Sequence, residues 1–95
     1  IDLNGGHSWA EAISFTLDAD DVNHIYVGAQ NVNNGKVQGG LYETTDGGIT
    51  WERIYKTYAA FRVTQSSYFD NRMYLAASGE GILMSEDKGN SWISF

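Results

Sequence analysis

The chain has 95 residues, 42% of them apolar and 14% aromatic, a formal net charge of −6 and no cysteine. Aromatic content at this level argues against disorder, and without disulfides the small core must hold by packing alone. Six scattered basic residues form no cluster able to neutralise phosphates, which excludes nucleic acid and an anionic membrane surface as partners, and no apolar run approaches a membrane span.

No stretch carries helical periodicity with start and stop signals. Short β-rich runs divided by Gly, Asn and Asp clusters predict an all-β fold instead. Eight strands are expected. Residues 9–16 (WAEAISFT) come first, then a polar turn over 17–23 (LDADDVN) and a second strand over 24–29 (HIYVGA). A polar loop at 31–38 precedes strands at 40–44 (GLYET) and 50–55 (TWERIY). The next four fall at 60–64 (AFRVT), 73–78 (MYLAAS), 82–85 (ILMS) and 91–95 (SWISF), with turns at 68–71 and 79–81. Four strands followed by four strands is an internal repeat of propeller-blade length. IYVGA and MYLAA occupy the same place in each set and are almost continuously apolar, as for strands covered on both faces.

Each set contains one octet of the pattern [ST]-x-D-x-G-x-[ST]-W. The first is Thr44, Asp46, Gly48, Thr50 and Trp51; the second is Ser85, Asp87, Gly89, Ser91 and Trp92. A carboxylate can accept bonds from the backbone N–H groups of its own turn, and a Gly two positions later permits positive φ. The hydroxyls tie the turn arms together, and the Trp lays an apolar plate over the turn while offering one donor. Residues 2–9 (DLNGGHSW), with Asn4 in place of Asp, are read as the entry to the first strand and not as a third octet.

The octets resemble the Asp-box, or bacterial neuraminidase repeat, of β-propellers such as sialidases, xyloglucanases, Vps10-group receptors and a photosystem assembly factor. The resemblance spans essentially the whole chain. It implies two four-stranded antiparallel blades with Asp-box hairpins, residues 1–56 and 57–95, in which Asp46 and Asp87 lock turns on the rim and take no part in chemistry. Propellers close with about four to eight blades. The chain is therefore expected to be a piece of a larger propeller, as a start at Ile1 also favours, or to assemble with identical copies.

FRVT at residues 61–64 resembles the F-R-I-P signature of sialidases, whose arginine grips a carboxylate. Thr64 replaces the proline and the segment follows an octet, so Arg62 is the one candidate ligand-binding residue, the plain alternative being an Arg paired to a nearby acid. Asp18, Asp20, Asp21 and Asn23 are rich in oxygen but lack calcium-loop spacing, and a solvated turn is expected. His7 and His24 have no zinc-ligand spacing, so no metal and no cofactor is expected. Glu43, Asp70 and Glu80 are carboxylates available in principle for glycoside hydrolysis, but no catalytic residue is assigned. Tyr42, Tyr55, Tyr58 and Tyr68 are read mainly as blade packing with sugar stacking as the alternative, and the 31–38 loop as a carrier of specificity.

The function expected from the resemblance is an extracellular or cell-envelope Asp-box propeller module of a carbohydrate-recognising or carbohydrate-degrading protein, not active as this chain alone. The alternative is a non-catalytic propeller: a homo-oligomeric lectin-like binder, or a protein-interaction scaffold of the Vps10 or photosystem-assembly kind. Its partners are further blades, and glycan in the first reading.

Overall fold

Alternating and continuous apolar runs resolve, among the described residues, into eight strands and no helix. The computed structural model of the chain describes residues 10–31, 38–69 and 71–94. The segment 2–9 with His7, most of the 31–38 loop, and Asp70 lie outside the described residues. The strands are β1 (Ala10–Asp18), β2 (Asp21–Asn31), β3 (Gly40–Thr44), β4 (Glu52–Lys56), β5 (Ala60–Gln65), β6 (Met73–Ala77), β7 (Gly81–Ser85) and β8 (Ile93–Ser94). They form two antiparallel meanders in the orders β1-β2-β3-β4 and β5-β6-β7-β8.

The repeat holds at the level of register. Phe15 faces Val27 and Leu17 faces Ile25 in the first sheet, as Val63 faces Leu75 and Gln65 faces Met73 in the second. Each first strand carries a bulge at the same place, between Ala12 and Ser14 and between Ala60 and Arg62. Gly28 opposite Leu41 is matched by Ala76 opposite Ile82.

The two sheets stack face to face, with β1 and β2 packed on β5. Tyr26 and Leu41 of the first sheet meet Val63, Met73, Leu75 and Leu83 of the second. Gly28 is what lets β5 come close: a Cβ there would lie 2.5 Å from the carbonyl oxygen of Ala60. Beside it the amide of Val63 donates to Ser14 Oγ at 3.2 Å. The link between the sheets is clamped at one end, where the amide of Asn31 donates to the Tyr58 carbonyl at 3.0 Å and that of Ser78 to the Ala59 carbonyl at 2.8 Å.

Two expectations change. The polar turn at 17–23 shrinks to Ala19 and Asp20, because the Asp18 carboxylate accepts the Asp20 amide at 2.9 Å and closes the hairpin locally. Met73–Ala77 is covered on one face only: Met73, Leu75 and Ala77 are buried while Tyr74 and Ala76 stay half-exposed. No third layer lies over that side among the described residues.

Candidate functional site

The two octets build nearly the same turn. Asp46 Oδ1 accepts from the Thr44 hydroxyl at 2.7 Å and from the amides of Ile49 and Thr50 at 3.1 and 2.9 Å. Its Oδ2 accepts from the Thr50 hydroxyl at 2.5 Å. Thr44 Oγ1 in turn accepts the Gly48 amide at 3.0 Å, and Trp51 Nε1 donates to the Gly48 carbonyl at 3.1 Å. In the second turn Asp87 accepts from the Ser85 hydroxyl at 2.7 Å, the Ser91 amide at 2.8 Å and the Ser91 hydroxyl at 2.5 Å. Gly89 donates to Ser85 Oγ at 2.8 Å, and Trp92 Nε1 donates to the Gly89 carbonyl at 3.1 Å. Bonds to the ionised form favour it. The Thr50 hydroxyl and amide, with Thr44, therefore hold the Asp46 carboxyl far below its ordinary value. The Ser91 and Ser85 hydroxyls hold Asp87 at about 2.

The backbone at the turn centre is left-handed at two successive residues, Gly47 and Gly48 at φ 75° and 100°, then Lys88 and Gly89 at 58° and 90°. Lys88 is thus a side-chain-bearing residue where the first turn has glycine. Each turn also docks on the neighbouring hairpin: the Gly47 amide donates to the Asn23 carbonyl and the Lys88 amide to the Asn71 carbonyl, both at 3.0 Å. Because these contacts use backbone atoms, the side-chain pattern gave no sign of them.

A charged cluster stitches the sheets together beside the second turn. His24 Nδ1 lies 2.9 Å from Asp18 Oδ2, and His24 Nε2 lies 2.5 Å from Glu43 Oε2. Lys88 Nζ, from the other sheet, reaches Asp18 Oδ2 at 3.1 Å. The Tyr26 hydroxyl donates to the Lys88 carbonyl at 3.1 Å. The Asp20 amide, then Lys88 and His24, hold the Asp18 carboxyl below its ordinary value against the opposing effect of burial. Burial, followed by the charge of Glu43, pushes the Tyr26 phenol up. His24 thus bridges two carboxylates, and Lys88 brings a cation to one of them from the other sheet.

The acidic segment at 18–23 therefore divides in two. Asp18 belongs to the junction between the sheets, whereas Asp20 and Asp21 are exposed. Among the described residues no group of three His, Cys, Asp or Glu side chains is placed to hold a metal ion. The signal for the His24 contacts was present in the register: His24 and Tyr26 share a face of β2, and Glu43 stands opposite Tyr26.

Arg62 is exposed on β5 and takes part in no ion pair among the described residues, so no nearby acid accounts for it. It lines an open hollow of about 420 Å³ between β1 and β5 with Ser14, Thr16 and Thr64. Glu43 and Glu80 do not converge. Glu43 is held by His24, while Glu80, on the β6–β7 turn at the opposite end of the strands, accepts the Tyr55 hydroxyl at 2.6 Å. That bond, with burial, pushes the Tyr55 phenol up to about 12. Tyr42 is buried, with its hydroxyl donating to the Gln38 carbonyl at 2.5 Å. Tyr58 and Tyr68 are exposed, and Tyr68 with Phe69, Arg72 and Glu86 lines a second hollow at the octet end.

Paired four-stranded meanders, stacked face to face, define this chain as β-propeller blades. Among solved structures it is similar to YCF48 from Cyanidioschyzon merolae, with a TM-score of 0.66 and 22% sequence identity. The match covers 92% of this chain and 24% of that one, so the chain spans about a quarter of the length of the structure it resembles. No protein-family model matches the sequence, and no curated protein matches it.

Proposed function

We propose that the chain is an Asp-box propeller module, two blades of a larger propeller, that serves as a protein-interaction scaffold. One observation carries this reading: each described carboxylate nominated for chemistry is committed to the fold. Hydrolysis of a glycosidic bond needs two carboxyl groups roughly 5–9.5 Å apart across one cleft. Here Glu43 is tied to His24 between the sheets and Glu80 to Tyr55 at the far end of the strands, while Asp46 and Asp87 are saturated by their own turns. Exposed aromatic side chains, Tyr68 and Phe69 at the octet end and Tyr58 at the other, give the module anchors of the kind that carry protein interfaces. The share of YCF48 that the chain spans supports further blades as its structural partners.

Carbohydrate recognition is the second reading, favoured by Arg62 and its hydroxyl neighbours around the open hollow. A guanidinium flanked by hydroxyls suits a carboxylate-bearing sugar. Titration of the chain with a sialoside and with a xyloglucan oligosaccharide separates the two. The scaffold reading expects neither binding nor hydrolysis. Saturable sialoside binding that disappears in Arg62→Ala overturns it.

A further inference from the structure

The two hairpins on which the octet turns dock are built alike and finished differently. The Asn23 and Asn71 carbonyls hold the same place, each accepting an amide of its octet turn. Counting back from them, Tyr68 and Phe69 stand where the first hairpin has Asp20 and Asp21. The fold therefore accepts two charged residues at this tip, and burial does not explain two aromatic ones, since Tyr68 is 88% exposed. Ile49 at 83% and Val22 at 81% are the next most exposed large apolar side chains described, and both also sit at the octet end. These positions lie at the strand ends, whereas blades stack through sheet faces. The second tip has a fixed shape. Ser66 Oγ accepts the amides of Tyr68 and Phe69, both at 3.1 Å, and the Phe69 carbonyl accepts the Arg72 amide at 3.1 Å. The Arg72 guanidinium lies 4.2 Å from the centre of the Phe69 ring.

An open hollow of about 380 Å³ lies among Tyr68, Phe69, Asn71, Arg72 and Glu86. The Glu86 side chain is 63% exposed and meets Arg72 at 3.5 Å, a long contact for a charge-assisted bond. Charge decides what such a hollow receives. Asp20, Asp21, Asp46, Glu52, Glu86 and Asp87 are exposed at the octet end. Its cations are fewer and engaged: Arg53 stands opposite Tyr42, Arg72 lies on Phe69 and Lys88 is bound to Asp18. The opposite end is close to balanced among the described residues, with Glu11 and Glu80 set against Lys56 and Arg62. The field of the octet end therefore draws in positive charge.

We propose that the octet end is a docking surface whose occupant is a lysine- or arginine-rich segment of a partner protein, one basic side chain entering the hollow between Tyr68 and Glu86. There the aliphatic stem lies along the Tyr68 ring and the cationic head meets the Glu86 carboxylate. Val22 and Ile49 supply apolar contacts elsewhere on the same end. Exposed aromatic anchors give such a surface its affinity, and the complementary charge around them gives it its choice of partner. The proposal rests on the scaffold reading and deepens it, because it names the chemistry of the partner and the place where it binds.

Titration of the isotope-labelled full chain with a short peptide of repeating Lys-Leu-Arg-Ser units, followed by amide NMR shifts, tests this. The control peptide carries Glu in place of each Lys and Arg. Saturable shifts at residues 20–23, 46–50, 66–69 and 86–90 are expected, with residues 77–81 unmoved, and binding weakens as salt is added. Tyr68→Ser weakens binding by about 5- to 30-fold, the loss of an interface anchor, and Glu86→Gln by about 2- to 5-fold. Glu11→Gln, at the other end, leaves it unchanged. Shifts spread over both ends, or binding indifferent to Tyr68→Ser, reduce the attraction to net charge and overturn the proposal. Preference for the Glu peptide also overturns it, and leaves the scaffold reading standing with Arg72 as the anchor. Binding of neither peptide overturns it as well; the scaffold reading falls with it only where sialoside binding lost in Arg62→Ala is found too.

Discussion

At the scale of single residues, charge is placed where it holds chain segments together. The octet aspartates were legible because each of their partners, hydroxyl or turn amide, lies within a few positions along the chain. His24 was not legible, since its partners Asp18 and Glu43 come from other strands and Lys88, which shares Asp18 with it, from another sheet. A lone histidine two residues before a tyrosine says nothing until register places a glutamate opposite. Replacing His24 with Ala removes two bonds to carboxylates and leaves the buried Asp18 short of a partner. We expect this to cost about 1–3 kcal/mol in urea unfolding. An unchanged midpoint would mean that the network contributes nothing net.

At the scale of elements, strand order and octet position followed directly from the repeat, whereas strand ends and close approaches did not. β1 and β2 run farther than their apolar residues imply because Asp18 and Asp20 close a hairpin that reads as a longer polar turn. Gly28 gave no sign of its role either. In sequence it is one small residue in an apolar run; in the fold it is the gap through which Ala60 reaches β2. Gly28→Ala is expected to destabilise by about 1–3 kcal/mol through overpacking. Gly48→Ala is expected to cost about 1–2 kcal/mol for a different reason, a left-handed backbone at φ 100°, since a Cβ there would make only an ordinary contact with the Trp51 ring at 3.7 Å. Thermal unfolding of the two variants checks both. A Gly28→Ala protein as stable as wild type would mean that the sheets separate freely.

At the scale of the whole molecule, two blades stack through one interface, with Phe15, Leu17 and Ile82 exposed on the sides turned away from it. The all-β class and the blade repeat were written in the octets, since a turn lock is local. The functional site was far less legible, because acid–base pairing depends on distances between strands, and the two nominated carboxylates among the described residues, Glu43 and Glu80, are held by His24 and Tyr55. The octet carboxylates make the stability of the molecule depend on acid. The Asp46 and Asp87 carboxyls are depressed in the folded state, so the unfolded chain binds more protons as pH falls. Their stabilisation is fully present above the ordinary carboxyl value of 3.8 and is lost as pH drops through the folded values, about 2 for Asp87 and lower for Asp46.

The measurement that tests the turn-lock account most directly is urea unfolding followed by tryptophan fluorescence across this acid range, for wild type and for Asp87→Asn. The account predicts that wild type loses stability steadily from pH 3.8 towards pH 2. Asp87→Asn, already weaker at neutral pH and missing one titrating lock, loses less over the same range. Equal slopes, or a wild type indifferent to acid, would show that the Asp87 carboxylate does not hold its turn.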